Sequence, residues 1–149
     1  MRKINYIVLH CSATKQGKKL TVDDLDKMHR ARGWRKIGYH YVIYLDGSIH
    51  QGRELSEVGA HVAGNIADSI GICYIGGLDD QGKPADTRTE EQRAAIFYLL
   101  QRLREQFPHA KILGHRDFSP DLNGNGIIEP FEYMKACPCF NATEEYKDL

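Results

Sequence analysis

Two short apolar runs, each ending at a histidine, constrain this chain more than any other feature. Ile4 to His10 is brief and rich in β-branched residues, which suits a buried strand, and Lys111 to Leu113 is a shorter strand that runs into Gly114-His115. Each run delivers a histidine where a strand leaves its sheet. Between them the pattern switches period repeatedly. Thr21 as N-cap, Asp23 and Asp24 in the first turn, and Val22, Leu25, Met28 and His29 near helical spacing predict a helix that Gly33 stops. Tyr39 to Tyr44, then Asp46-Gly47, then Ser48 to His50 predict a hairpin closed by a tight turn, because Asp-Gly readily supplies positive φ. Ser69 to Ile75 reads as a further strand closed by Gly76-Gly77, and Asp79 to Asp86 as a surface loop. Thr89 with Gln92 forms a capping box ahead of Ile96, Leu99, Leu100, Leu103 and Phe107, which keep one helix face apolar until Pro108.

Strands interleaved with helices predict a single α/β domain over residues 1–149, with a central mixed β-sheet flanked by helices. The 149 residues, 42% apolar and 27% charged, are enough for one such domain with its own core. Twenty basic residues balance twenty acidic ones, so nothing in the bulk charge points to nucleic acid or an anionic membrane. Neutrality argues for a ligand that is neutral or read locally. No run approaches the roughly 20 apolar residues of a membrane span, and Met1 to Asn5 lacks an export signal's apolar core, so cytoplasmic synthesis is expected. Without an oxidising compartment the four cysteines are expected as thiols. Cys-Pro-Cys at 137–139 is too tight to bridge without strain, and Cys11 and Cys73 read as small buried hydrophobes.

His10 and His115 at strand ends and Cys137 in Lys135-Ala136-Cys137-Pro138 are three metal-ligand types that one rim of the sheet could gather. Two imidazoles and a thiolate leave the fourth corner of a zinc tetrahedron for water. Spacing alone fixes none of this, and no H-E-x-x-H is present.

The order of local motifs is more specific. Val8-Leu9-His10-Cys11-Ser12-Ala13-Thr14, Gly33-Trp34, Gly38-Tyr39-His40, Val58-Gly59-Ala60-His61, Asn65 with Ser69-Ile70-Gly71, Gly76 to Asp80, Gly114 to Asp117 and Lys135 to Pro138 follow one another along the chain. In this the sequence resembles the zinc-dependent N-acetylmuramoyl-L-alanine amidases of the phage-lysozyme type, kin to peptidoglycan recognition proteins. The resemblance implies that His10, His115 and Cys137 bind zinc, that Tyr39 and Lys135 stand beside the reacting amide, and that His61 lines the substrate groove. Zinc would polarise the scissile carbonyl and bring a water's pKa toward about 7. Tyr39 and Lys135 would stabilise the developing oxyanion and assist proton transfer to the leaving amine, in an order that stays open. Asp117 reads either as a brace for a ligand histidine or its loop, or as an ordinary turn aspartate. Cys139 is the alternative ligand to Cys137, which Lys-Ala-Cys-Pro favours.

One segment departs from those enzymes. Residues 121–132 are longer than the corresponding loop and match D-x-[DN]-x-[DN]-G-x5-E, with Asp121, Asn123, Asn125, Ile127 and Glu132 at the positions of calcium ligands. The same residues also make an ordinary Asn-Gly turn, and both readings stay open. The expectation from sequence is thus a monomeric, single-domain zinc amidase. It would cut the bond between N-acetylmuramic acid and L-alanine, after release to the wall or on internalised wall fragments. The alternative is a recognition module that binds peptidoglycan without cutting it.

Overall fold

The computed structural model describes residues 3–33, 35–60, 67–118 and 137–149. The described strands are β1 (Tyr6–Cys11), β2 (Thr14–Lys15), β3 (Tyr41–Ile43), β4 (Ile49–Gln51), β5 (Ser69–Tyr74), β6 (Gly77–Leu78) and β7 (Lys111–Gly114). The described helices are α1 (Val22–Ala31), α2 (Glu90–Gln106) and the short α3 (Ala142–Glu145), and a 3-10 turn spans His115–Phe118. Five strands form one sheet in the order β4-β3-β5-β1-β7. β1 runs parallel to β5 and β7, β3 runs parallel to β5, and only β4 is antiparallel. This is the mixed sheet expected from the sequence.

Both long helices start where their caps put them. Thr21 accepts from the Asp24 amide at 3.2 Å while Asp24 accepts from the Thr21 amide at 2.9 Å. Thr89 and Gln92 exchange the same pair at 3.0 and 2.9 Å, and a cap of this kind is worth about 1 kcal/mol. Buried Gln92 also donates from Nε2 to the carbonyls of Ile75 and Ile43, pinning the start of α2 to the ends of β5 and β3. On α1, Leu25 and His29 turn inward, whereas Met28, grouped with them by spacing, is 38% exposed. Its position on the helix rim outweighs its apolar character.

The hairpin turn is longer than its Asp-Gly suggests. The Gly47 amide donates to Tyr44 O at 2.9 Å and the Tyr44 amide to Ser48 O at 3.0 Å, so the turn over residues 44–47 carries one extra residue with Gly47 at φ 84°.

The sheet separates two apolar layers. Ile7, Leu9, Ile43, Ile70, Ile72 and Tyr74 pack with Ile96, Leu100 and Leu103 of α2. The opposite layer is smaller and holds Val42, Cys73 and Ile75 against Leu25 of α1. The tail joins the larger layer through Phe140, Ala142 and Tyr146, a role that its acidic composition does not announce. No described helix is long and apolar enough to cross a membrane.

Candidate metal centre

Open parallel sheets present their ligand sites at the carboxyl ends of the strands. β1 ends at His10-Cys11, and β7 ends at Gly114, directly before His115. Cys137 is brought to the same place from the far end of the chain. Its carbonyl accepts from the Arg116 amide at 2.9 Å, and a Cβ on Gly114 would stand 2.7 Å from Pro138 Cδ, so only glycine lets that loop close onto β7. Asp117 strengthens the joint. Its Oδ2 accepts from the Gly114 amide at 2.7 Å and from the Thr143 hydroxyl at 2.8 Å, which makes it a brace between β7 and the tail.

One ligand atom from each of His10, His115 and Cys137 lies within 4.8 Å of the others. The His10 and His115 rings are 4.7 Å apart, and Cys137 Sγ is 3.8 Å from His10 Nδ1. Zinc bonds of about 2.0 Å to nitrogen and 2.3 Å to sulfur imply a tetrahedral N to S separation of roughly 3.5 Å, so the donor set fits such an ion closely. The Cys11 amide donates to Cys137 Sγ at 3.2 Å. Cys139 is directed elsewhere, donating to Gly77 O at 3.2 Å and lying 3.9 Å from Cys11 Sγ. Its contact with Cys11 and its burial raise the Cys139 thiol well above its ordinary value. Contact with Cys137, together with burial, pushes the Cys11 thiol up to about 12. The two flanking sulfurs are therefore neutral thiols.

Tyr39 stands over the cluster with its ring 5.1 Å from that of His10. Burial first, then the neighbouring sulfurs of Cys73, Cys137 and Cys11, raise its phenol well above the ordinary value, so Tyr39 keeps its proton at neutral pH. Behind it lies His29, whose ring centroid is 5.3 Å away and whose Nδ1 accepts from the Gly38 amide at 2.9 Å. That bond fixes the tautomer with the proton on Nε2. Burial holds His29 down at about 4. Sequence reasoning gave His29 no role. Its helical spacing with Leu25 signals burial, but nothing local signals the contact with Tyr39.

His61, Lys135 and the loop residues Asp121, Asn123, Asn125, Ile127 and Glu132 lie outside the described residues, as do Trp34 and Asn65. Cys11 and Cys73 are buried as expected.

A mixed α/β sheet thus gathers two histidines and a cysteine at its strand ends, a donor set that could hold a metal ion beside a partly buried phenol. The family model described as N-acetylmuramoyl-L-alanine amidase matches residues 1–139. The endolysin of Enterobacteria phage K11 is 36% identical over 133 residues, covering 89% of this chain and 79% of its own. The endolysin of Escherichia phage T7 is 34% identical over 135 residues, covering 91% and 80%. Among solved structures, the endolysin amidase LysCS from Clostridium intestinale superposes with a TM-score of 0.75 at 27% identity, over 98% of this chain and 82% of its own. The chain belongs to the N-acetylmuramoyl-L-alanine amidase family. It is an enzyme that hydrolyses an amide bond of peptidoglycan.

Proposed function

We propose that this chain is a zinc-dependent amidase, a single catalytic domain over residues 1–149. It cuts between N-acetylmuramic acid and the L-alanine of the stem peptide, and it acts on the cell wall as its endolysin relatives do. The observation that carries this reading is the convergence of His10, His115 and Cys137 within 4.8 Å at the strand ends of an amidase-family fold. Those three residues would hold the ion, with the Cys137 thiolate offsetting one of its charges. Bound there, zinc supplies Lewis acidity toward the scissile carbonyl and acidifies a water toward neutrality.

The chain's own residues do the rest. Tyr39, kept protonated by burial, donates a hydrogen bond to the carbonyl oxygen as negative charge develops on it. Lys135 would complement the same charge as a cation, and one of the pair, Tyr39 or Lys135, would assist proton transfer to the leaving amine. His61 is assigned to substrate binding by the family resemblance. The Gly38 amide, fixed by His29, sets the backbone from which Tyr39 projects.

The test is to incubate zinc-loaded protein with purified peptidoglycan and follow free stem peptides with an L-alanine amine terminus by mass spectrometry, alongside Cys137→Ser. Release by the parent protein and its loss in Cys137→Ser is the expected result. Muropeptide binding without release by the zinc-loaded parent would make the chain a recognition module instead.

A further inference from the structure

Arg88 is the most completely engaged side chain among the described residues, and the metal centre as described makes no use of it. Its side chain is fully buried, with zero exposure. Nε and Nη2 donate to Asp86 at 2.9 Å each, Nη1 and Nη2 donate to Glu145 at 2.7 Å each, and Nη1 also donates to the Tyr146 hydroxyl at 3.1 Å. All five guanidinium donors are thereby satisfied. Arg93 Nη2 also donates to Asp86 Oδ2 at 3.0 Å, so two cations face two carboxylates and the knot is neutral. The flat face of the guanidinium lies 3.4 Å from the ring centroid of Phe140.

Phe140 is the anchor of the turn that carries Cys137. This turn belongs to no sheet. Residues 137–140 are tied down by the Arg116 amide on Cys137 O, by the Tyr74 hydroxyl on Pro138 O at 2.6 Å, and by burial of the Phe140 ring between Tyr74 and Tyr146. Cys139 within it holds φ at 72°, a left-handed value that a non-glycine residue keeps only when its surroundings impose it. Arg88 closes the far side of this arrangement, clasping Phe140 by its face and α3 by its edge.

We propose that Arg88 is a positioning residue for the Cys137 metal ligand: by stacking on Phe140 and pairing with Asp86 and Glu145 it fixes the turn that holds Cys137 Sγ in reach of His10 and His115. This rests on the zinc reading above. A buried ion pair contributes little net stability compared with well-packed apolar groups, and the role assigned to this one is to hold geometry. Asp86 and Glu145 retain partial exposure, 27% and 37%, so water can solvate them once the guanidinium is gone. An apolar replacement therefore separates folding from positioning. Lysine keeps the charge but loses the planar stack and both bidentate pairs.

The 149-residue chain is stripped with chelator and reloaded with cobalt(II) or zinc(II). Affinity is read by competition with a chromophoric chelator, and the sulfur ligand by its sulfur-to-cobalt absorption. The parent should show that band and Cys137→Ser should lose it. Arg88→Met and Arg88→Lys, with folding checked by circular dichroism, should bind both ions about 10- to 100-fold more weakly, with a diminished band. Thr89→Ala removes a helix cap without touching Phe140, and it should keep the parent's affinity. Should either Arg88 variant fail to fold, Phe140→Leu removes the ring that the guanidinium covers and should weaken metal binding in the same direction. Folded Arg88 variants, or Phe140→Leu, with the parent's affinity and spectrum would overturn the proposal and leave the zinc reading standing. A parent without the sulfur band would overturn both.

Discussion

His10 rides on β1, whose backbone is laddered to β5 on one side and β7 on the other, with Ile7 and Leu9 completely buried below it. Cys137 rides on a turn that follows residues outside the described set and is held by the Tyr74 hydroxyl, the backbone amides of Arg116 and Cys11, and the ring of Phe140. The first candidate ligand is placed by strand pairing and the second by scattered contacts from distant parts of the chain. Damage to the first should appear as lost stability. Damage to the second should appear as lost metal while the sheet survives.

The sharpest break on the strand side is Leu9→Ala. Leu9 has zero exposure, and its truncation should cost about 2–5 kcal/mol in denaturant unfolding, through lost burial and a cavity between the sheet and α2. A loss below 1 kcal/mol would mean that the β1 layer is not what fixes His10. Lowering the pH stresses the boundary between the two regions. The folded pKa of His29 is depressed to about 4 from an ordinary 6.5, so the native state prefers the neutral ring and the unfolded chain binds the extra proton. The stabilising contribution is therefore complete above pH 6.5 and is lost as pH falls toward about 4. The full loss is roughly 3 kcal/mol. Unfolding titrations of the parent and His29→Gln across that window should converge at acid pH, and parallel curves would exclude His29 as the source. Gly114→Ala probes the side of Cys137. Its new Cβ would press on Pro138 Cδ from 2.7 Å, so a cost of about 1–3 kcal/mol is expected, together with weaker metal binding than Leu9→Ala produces in its folded fraction. Equal metal affinity in the two variants would erase the distinction between the regions.

The same divide separates what the sequence made legible from what it did not. β1, the hairpin, β5, α2 and β7 follow from short-range period and capping, because strand alternation and helix caps are written within a few residues of where they act. β2 and β6 pair over only two residues each, Thr14 with Gly77 and Lys15 with Leu78, too few to leave a pattern. α3 is four residues long with an Asn141 cap, and its stability comes from Phe140 and Tyr146 closing over Arg88. No local signal carries that.

The site divides likewise. His10 and His115 stand out as histidines at strand ends, whereas Cys137 was chosen over Cys139 by its resemblance to an amidase motif. In the described geometry Cys139 Sγ turns to Gly77 O and Cys137 Sγ faces His10, the arrangement that the Cys137 reading needs. Arg88, placed in a polar stretch ahead of a helix, looks like a solvated surface residue until the tail folds back over it.

Zinc K-edge absorption on the purified 149-residue chain is the most direct test of the shared site. Two nitrogen scatterers near 2.0 Å and one sulfur near 2.3 Å are expected, with the sulfur shell lost in Cys137→Ser and kept in Cys139→Ser. A shell of oxygen and nitrogen alone in the parent, or a sulfur shell that survives Cys137→Ser, would contradict the assignment of His10, His115 and Cys137 as the metal ligands.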